Sequence, residues 1–293
     1  KLILLAHLIG DGSYLSHQPL RYTTASEENS YIVKTSAEKE FGTTVNRHDY
    51  RGTWHQLVFS GNGNRWTPLG LNKWLRDIGV FNQRSFEKKV PDFVFKLSTD
   101  DICLFLQHLW ATDGTMYTKK GIGKLATRVA FSTNSVQLAN DVSALLLRIN
   151  IVARIRIVQQ GEHRPMYNVD ISGTENQTIF IEKVGAFGPK KKQMEDLRIA
   201  LNERPSNTNV DTLPQEVFGN VKRQMKANGI SQRGMAALRG TSYGGSSHFT
   251  FSPSRETVME YGTILEDDEI KKMASSDVFW DKVVSIIPCG EEE

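Results

Sequence analysis

The chain's 293 residues, 39% hydrophobic and 24% charged, suffice for two or three domains with a sizeable core. Its composition excludes several classes. No uncharged apolar run approaches the roughly 18 residues of a membrane span, the opening KLILLAHLIGDG lacks a signal-peptide cleavage pattern, and two cysteines make neither a disulfide framework nor a zinc site. A soluble protein of a reducing cytoplasm is expected. The net charge of +3 conceals a division: residues 1–204 carry 27 Lys and Arg against 20 Asp and Glu, residues 205–255 carry 6 against 2, and residues 256–293 carry 3 against 11. A basic body with an acidic tail calls for a polyanionic partner.

In chain order, LLAHLIGDG (4–12) is an apolar helical run ending in Gly-Asp-Gly, which puts Asp11 at the helix end where partial negative charge and unpaired carbonyls collect. Then come a strand-like RYTTAS (21–26), a helical EENSYIVKTSAEKEF (27–41), an alternating stretch around TWHQLVFSG (53–61) and a helical TPLGLNKWLRDIGV (67–80). The opening pattern returns as FLQHLWATDG (105–114), with Asp113 standing 102 residues after Asp11. KLATRVAFSTN (124–134), SVQLANDVSALLLRI (135–149), VARIRIV (152–158), PMYNVDIS (165–172) and TENQTIFIEKVG (174–185) follow it in matching kind, so each half reads as helix, two strands, helix, two strands, helix. The fold class is therefore α+β, a duplicated unit of about 100 residues with antiparallel sheets.

Strand alternation assigns faces. Ile155 and Ile157 fall on one side of VARIRIV with Arg154 and Arg156 on the other; in the next strand Tyr167, Val169 and Ile171 point inward and Asn168, Asp170 and Ser172 outward. Arg21, Arg47, Arg51, Lys119, Lys120, Lys124, Arg128, Arg154, Arg156 and Arg164 all lie in strands or hairpin turns. A ribbon with Arg, Asn and Gln on one face is a shape that enters a major groove.

Ala6 and Gly10 lie one turn apart, so two helix backbones can approach there, with Ala111 and Thr112 as the small residues of the second copy. Paired side by side, the two helices bring Asp11 and Asp113 together. Two close carboxylates raise a pKa unless a cation joins them, and Mg²⁺ suits one or two carboxylates plus water and phosphate. The chemistry implied is metal-assisted hydrolysis of DNA.

Two such helices about 100 residues apart, the second led in by KKVPDFVFKLSTDDICLFLQHLWATDG, resemble a single-chain LAGLIDADG homing endonuclease over residues 1–200. The resemblance implies two αββαββα halves (1–103 and 104–204), a monomer acting as a pseudo-dimer, a DNA-binding saddle, and double-strand cleavage across the minor groove leaving 3′ overhangs. It makes Asp11 and Asp113 the metal-binding acids, with the carbonyls of Gly10 and Thr112 as neighbouring ligands, Mg²⁺ as cofactor, Ca²⁺ as a non-cleaving substitute and Mn²⁺ as an alternative. His7 and His108 depart from the family's small or apolar positions and read as packed helix residues. The family also places a lysine near the metals, and no lysine stands out at such a position in either half.

Residues 205–213 read as a polar linker. PQEVFGNVKRQMKANG (214–229) and ISQRGMAALRG (230–240) are similar to a helix-turn-helix, which gives residues 205–270 a DNA-binding role with Arg233, Arg239 and Arg255 among the contacts and EDDE (266–269) as a solvated connector. DVFWDKVVSIIPCGEEE (277–293), within a tail spanning 271–293, is similar to the start of an intein C-terminal splicing segment, and the whole chain resembles the endonuclease region of a DnaB-type replicative-helicase intein. Splicing needs a nucleophilic first residue and a terminal His-Asn; a stretch running from Lys1 to Glu293 is not expected to splice. The alternative function is a DNA- or RNA-binding, maturase-like protein of the same fold that does not cut.

Overall fold

The computed structural model describes every residue except 65, 121–124, 160, 203–210, 282, 284, 289 and 291–293, with the side chains of Lys120, Leu125 and Ser246 also outside the description. It contains two compact units, Lys1–Pro205 and Ser206–Glu293. Among the described residues no helix is long and apolar enough to cross a membrane.

The first unit is α+β and twofold repetitive. Its first half runs α1 (Leu2–Asp11), β1 (Gly12–Ser13), β2 (Leu20–Thr24), α2 (Glu27–Phe41), β3 (Thr44–Asp49), β4 (His55–Ser60) and α3 (Gly70–Asp77); its second runs α4 (Thr99–Asp113), β5 (Gly114–Lys120), β6 (Leu125–Thr133), α5 (Val136–Arg148), β7 (Ala153–Val158), β8 (Met166–Ile171) and α6 (Thr174–Lys183). Each half forms one antiparallel four-stranded sheet, ordered β1-β2-β4-β3 and β5-β6-β8-β7.

The duplication extends to single hydrogen bonds. At the strand-to-helix corners TAS (24–26) and TNS (133–135), a threonine Oγ1 accepts from the serine N–H at 3.1 Å in both halves. The serine Oγ then caps the next helix by accepting from Asn29 N–H and Leu138 N–H, which satisfies donors that have no partner within the helix. The core of the unit is continuous, with α1 and α4 at its centre: Leu4, Leu5, Leu8, Phe105, Leu109 and Trp110 are all buried.

The sequence reading needs correction in three places. Ile157, assigned to the core face, is 68% exposed, because β7 is the edge strand of its sheet. A further helix, α7 (Lys190–Asn202), follows α6 and packs on β5 and β6; its lysine-rich start hid its periodicity.

The third correction lies in the second unit, which comprises α8 (Val217–Ala227), α9 (Gln232–Leu238), α10 (Arg255–Ile264) and α11 (Asp268–Ser275) around Phe218, Met235, Val258 and Tyr261. EDDE (266–269) does not merely connect. Asp267 caps α11 by accepting from Glu269 N–H and Ile270 N–H, and the acids of the first turn meet the positive end of the helix dipole. Between α8 and α9 the chain turns through Gly229 at φ +65°.

Candidate functional site

The helices α1 and α4 pack against each other along the core, and their closest approach explains one glycine. A Cβ on Gly10 would lie 2.0 Å from Thr112 Oγ1, so a helix with any larger residue there could not reach the same separation. Below this crossing His7 Nε2 meets His108 Nδ1 at 3.1 Å, and His7 Nδ1 meets the Tyr22 hydroxyl at 2.9 Å. Phe187 packs on both imidazoles. Both histidines are buried, and burial lowers their pKa values, His7 to about 3 and His108 to about 4. They pack as neutral rings that satisfy each other.

Both helices end on an acid followed by glycine. Gly12 and Gly114 have extended backbones, and a Cβ on either would sit 2.4 Å from the carbonyl of Leu8 or Trp110. Glycine is needed there because the chain leaves the helix directly into β1 or β5. The acids thus stand at the carbonyl-rich ends of two adjacent helices. The Asp11 carboxyl is pushed up to about 7, first by burial and next by the charge of Asp113. Asp113, open to solvent on one side, is shifted upward too, mainly by burial. The two acids therefore lie within electrostatic reach of each other.

Two lysines answer this charge. Lys88, 8% exposed, donates from Nζ to the Gly10 carbonyl at 2.6 Å and the Gly12 carbonyl at 3.0 Å. Burial lowers its pKa to about 8 against the opposing pull of Asp113 and Asp11. Its backbone is tied down: the Lys88 carbonyl accepts from Ser135 Oγ at 2.6 Å, and Val90 N–H donates to Asp141 Oδ2 at 2.8 Å. Lys190, at the start of α7, feels the same two acids and is lowered by burial. Lys88 follows Asp11 by 77 residues and Lys190 follows Asp113 by the same 77. Applying the repeat spacing to the lysines would have found the pair; the expectation that neither half offers one rested on searching the strands, and both lie outside them. The Gly10 carbonyl, expected beside a cation, already accepts from an ammonium, and the Thr112 hydroxyl donates to Leu109 O at 2.6 Å.

The donor set is all oxygen: two carboxylates and the carbonyls of the helix ends. Among the described residues no three His, Cys, Asp or Glu side chains converge, so a cation here completes its shell from carbonyls, water or phosphate. That fits a hard divalent ion such as Mg²⁺ and disfavours zinc.

The expected DNA-contact residues divide by register. Arg21 of β2 and Arg128, Arg154, Arg156 and Lys119 of the second sheet fall on the sheet faces away from the helices, as do Asn168 and Asp170. Arg47 pairs with Leu57 on the opposite face and binds Glu27 of α2 through both Nη atoms and Asp49 through Nε. Arg51 is exposed in the β3–β4 turn, and Arg164, in the β7–β8 turn, lies over the Phe86 ring. Lys124 and the side chain of Lys120 lie outside the described residues. Asp170 is 6% exposed and Asn168 5%, covered on that outer face by contacts with Arg128, Arg156 and Ser132.

In the second unit Arg233 lies over the Tyr243 ring. Arg239 binds Glu260 and the Tyr261 hydroxyl, while Arg255 binds Asp211 and the carbonyls of Ala274, Ser276 and Val278.

Residues 100–185 match the model of the LAGLIDADG-like domain. The match runs from the start of α4 to the end of α6. Over its whole length the chain is 38% identical to part of the replicative DNA helicase DnaB of Rhodothermus marinus and 35% identical to part of the Synechocystis protein of the same name. It spans about a third of these relatives, 32% and 34% of their lengths. Among solved structures, the homing endonuclease I-DmoI in complex with DNA and Mn aligns at 15% identity and a TM-score of 0.42, covering 64% of this chain and 96% of that one. The N-terminal LAGLIDADG domain of WhiA aligns at 12% identity and a TM-score of 0.41, covering 64% and 82%.

Proposed function

We propose that this chain is a site-specific, divalent-metal-dependent DNA endonuclease, carried within a replicative-helicase gene as the nuclease part of an intein. The reading rests on one observation above all: Asp11, Asp113, Lys88 and Lys190 converge, as a repeated pair of pairs, on the adjacent C-terminal ends of α1 and α4. Structural acids rarely gather at the negative ends of two helix dipoles.

In this reading Asp11 and Asp113 hold the cation with the Gly10 and Thr112 carbonyls beside them, and residues 1–103 and 104–204 are the two catalytic halves. Bound there, a divalent ion neutralises charge developing on the phosphate and lowers the pKa of a coordinated water. Lys88 and Lys190 set ammonium groups beside the scissile phosphate, balance the two carboxylates, and offer donors to its oxygens. The exposed cations of the sheets bind phosphates and base edges, one sheet to each half of the target. Residues 205–270 lengthen the contact through Lys222, Arg223, Lys226 and Arg233, whereas Arg239 and Arg255 hold the second unit together. Residues 271–293 lead toward a splicing segment.

The test is a supercoiled plasmid carrying the uninterrupted helicase-gene target, incubated with Mg²⁺, Mn²⁺ or Ca²⁺. Linear product with Mg²⁺ or Mn²⁺, and binding without cutting in Ca²⁺, are expected. Asp11→Asn and Asp113→Asn should abolish cleavage and keep binding, since backbone and base contacts supply the affinity. Wild-type binding without a nick in any metal would instead identify a non-cleaving DNA-binding protein.

A further inference from the structure

The outer face of the second sheet holds an arrangement that the duplicated frame does not require. Asp170 lies on β8, between β6 and β7. Its Oδ1 accepts from Arg128 Nε of β6 at 3.1 Å, and its Oδ2 pairs with Arg156 Nε of β7 at 3.2 Å. The acid is 6% exposed, whereas the arginine side chains remain 38% and 64% exposed. The carboxylate is thus sheltered beneath two guanidinium groups that outnumber its charge.

Register shows what stands at the same place in the first half. Gly12 pairs with Tyr22 as Gly114 pairs with Phe131. Counting outward, Val58, opposite Arg21 and Asn46, holds the position of Asp170, which is opposite Ala130 and Arg154. A valine serves this fold position, so sheet stability does not demand an acid there. Besides Val58, the first face carries one arginine, Arg21, and His48 opposite Gln56, and among the described residues no carboxylate joins them; its other partners are amides and hydroxyls, Gln56 donating to Thr23 Oγ1 and accepting from the Tyr50 hydroxyl, and Asn46 donating to Ser60 Oγ.

Binding the carboxylate through Nε leaves Nη donors on each arginine to form an outward fork, with Tyr117, the cross-strand neighbour on the same face, also hydrogen-bonded to Arg128. Such a fork matches the O6 and N7 acceptors of guanine in the major groove, while Asn and Gln suit adenine. Anchored to the two oxygens of one carboxylate, both forks are confined to the scale of one or two base steps, about 3.4 Å each along a strand. An unanchored arginine would have to lose that freedom on binding.

We propose that Asp170 is a positioning residue that presents Arg128 and Arg156 as a paired guanine reader, making the recognised duplex asymmetric, with two neighbouring guanines read as a pair under the second sheet alone. This rests on the DNA-binding reading above and names which bases one half selects.

The test is selection of bound sequences from a randomised duplex pool in Ca²⁺ by the full chain, followed by sequencing. Wild type should recover guanine at two nearby positions on one side of the site. Asp170→Asn should cut guanine preference at those two positions by about tenfold, with preferences in the other half and the melting temperature unchanged. Arg156→Lys, at an exposed position that folding tolerates, should relax one of the two positions and leave its neighbour. Unchanged preference in either variant, or an equal loss at every position, overturns the proposal while DNA binding stands. A wild-type protein that enriches no sequence overturns the DNA reading and this proposal with it.

Discussion

Asp11 and Asp113 were legible in the sequence because each closes an apolar run, where a carboxylate has no structural use. Lys88 was not. It lies in an irregular segment without periodicity, and its place at the helix ends depends on Ser135 and Asp141, 47 and 51 residues away, gripping its backbone and that of Val90. Its substitution separates charge from packing. Lys88→Met should keep binding and lower the cleavage rate by about 10²-fold or more, the scale of losing one donor to a developing charge; a rate within twofold of wild type would remove Lys88 from the machinery. Protons compete with metal at the same acids. Because the Asp11 carboxyl is raised to about 7 from an ordinary 3.8, the metal-free fold gains stability from its protonation below 3.8 and loses it as pH rises through 7. Metal affinity runs the other way, since a cation needs the ionised form. Calorimetric titration with Ca²⁺ should therefore give affinity that rises between pH 5 and 8, with about one proton released per ion near pH 6. Asp11→Asn should remove that proton release.

At the level of elements, periodicity identified the helices α1 to α6 and the strands β2, β4, β6, β7 and β8, because one apolar face recurs at a fixed interval in each, but it marked no segment for β3 (Thr44–Asp49) or β5 (Gly114–Lys120). It gave no account of edges. Ile157 alternates like a core residue and yet is exposed, since an edge strand has a neighbour on one side only; Arg47 shares the spacing of groove-facing arginines, but its register sends it to Glu27. The helix crossing is where sequence and packing agree in detail. Gly10→Ala drives a methyl into the Thr112 side chain, where it would meet Oγ1, Cβ and Cγ2 at 2.0, 2.5 and 2.8 Å. Overpacking of this kind costs about 1–3 kcal/mol, read as a lower urea midpoint. Thr112→Gly in the same chain removes all three atoms and should restore most of the loss, whereas Thr112→Ala keeps the Cβ and should not. Additive effects in the double variant would mean that the helices do not meet at this pair. The histidine pair beneath gives a second pH limb. Folded values near 3 and 4, depressed from 6.5, mean that their contribution is complete above pH 6.5 and is lost as pH falls toward 4. Replacing both His7 and His108 by leucine should flatten that acid limb in urea unfolding followed against pH.

For the whole molecule, charge along the sequence indicated a polyanionic partner, but formal charge does not distinguish a cation that meets solvent from one already spent inside the fold. Of the six cations in residues 205–255, Arg239 and Arg255 are engaged with Glu260 and Asp211, and Arg239 has a side chain only 9% exposed. Lys222, Arg223, Lys226 and Arg233 are exposed on α8 and α9. Salt dependence separates the two groups in the intact chain. Each phosphate neutralised adds about 0.9 to the negative slope of log affinity against log salt. If the second unit grips the target, changing all four exposed cations to glutamine should flatten that slope by up to about 3.6 in fluorescence anisotropy with Ca²⁺. Arg239→Gln should leave the slope alone and instead weaken the second unit by about 1–3 kcal/mol, because it strips a hydrogen-bonded charge from Glu260 and the Tyr261 hydroxyl. A slope unchanged by the fourfold substitution would confine the duplex to the sheets of the first unit and leave the four helices of the second a role other than DNA contact.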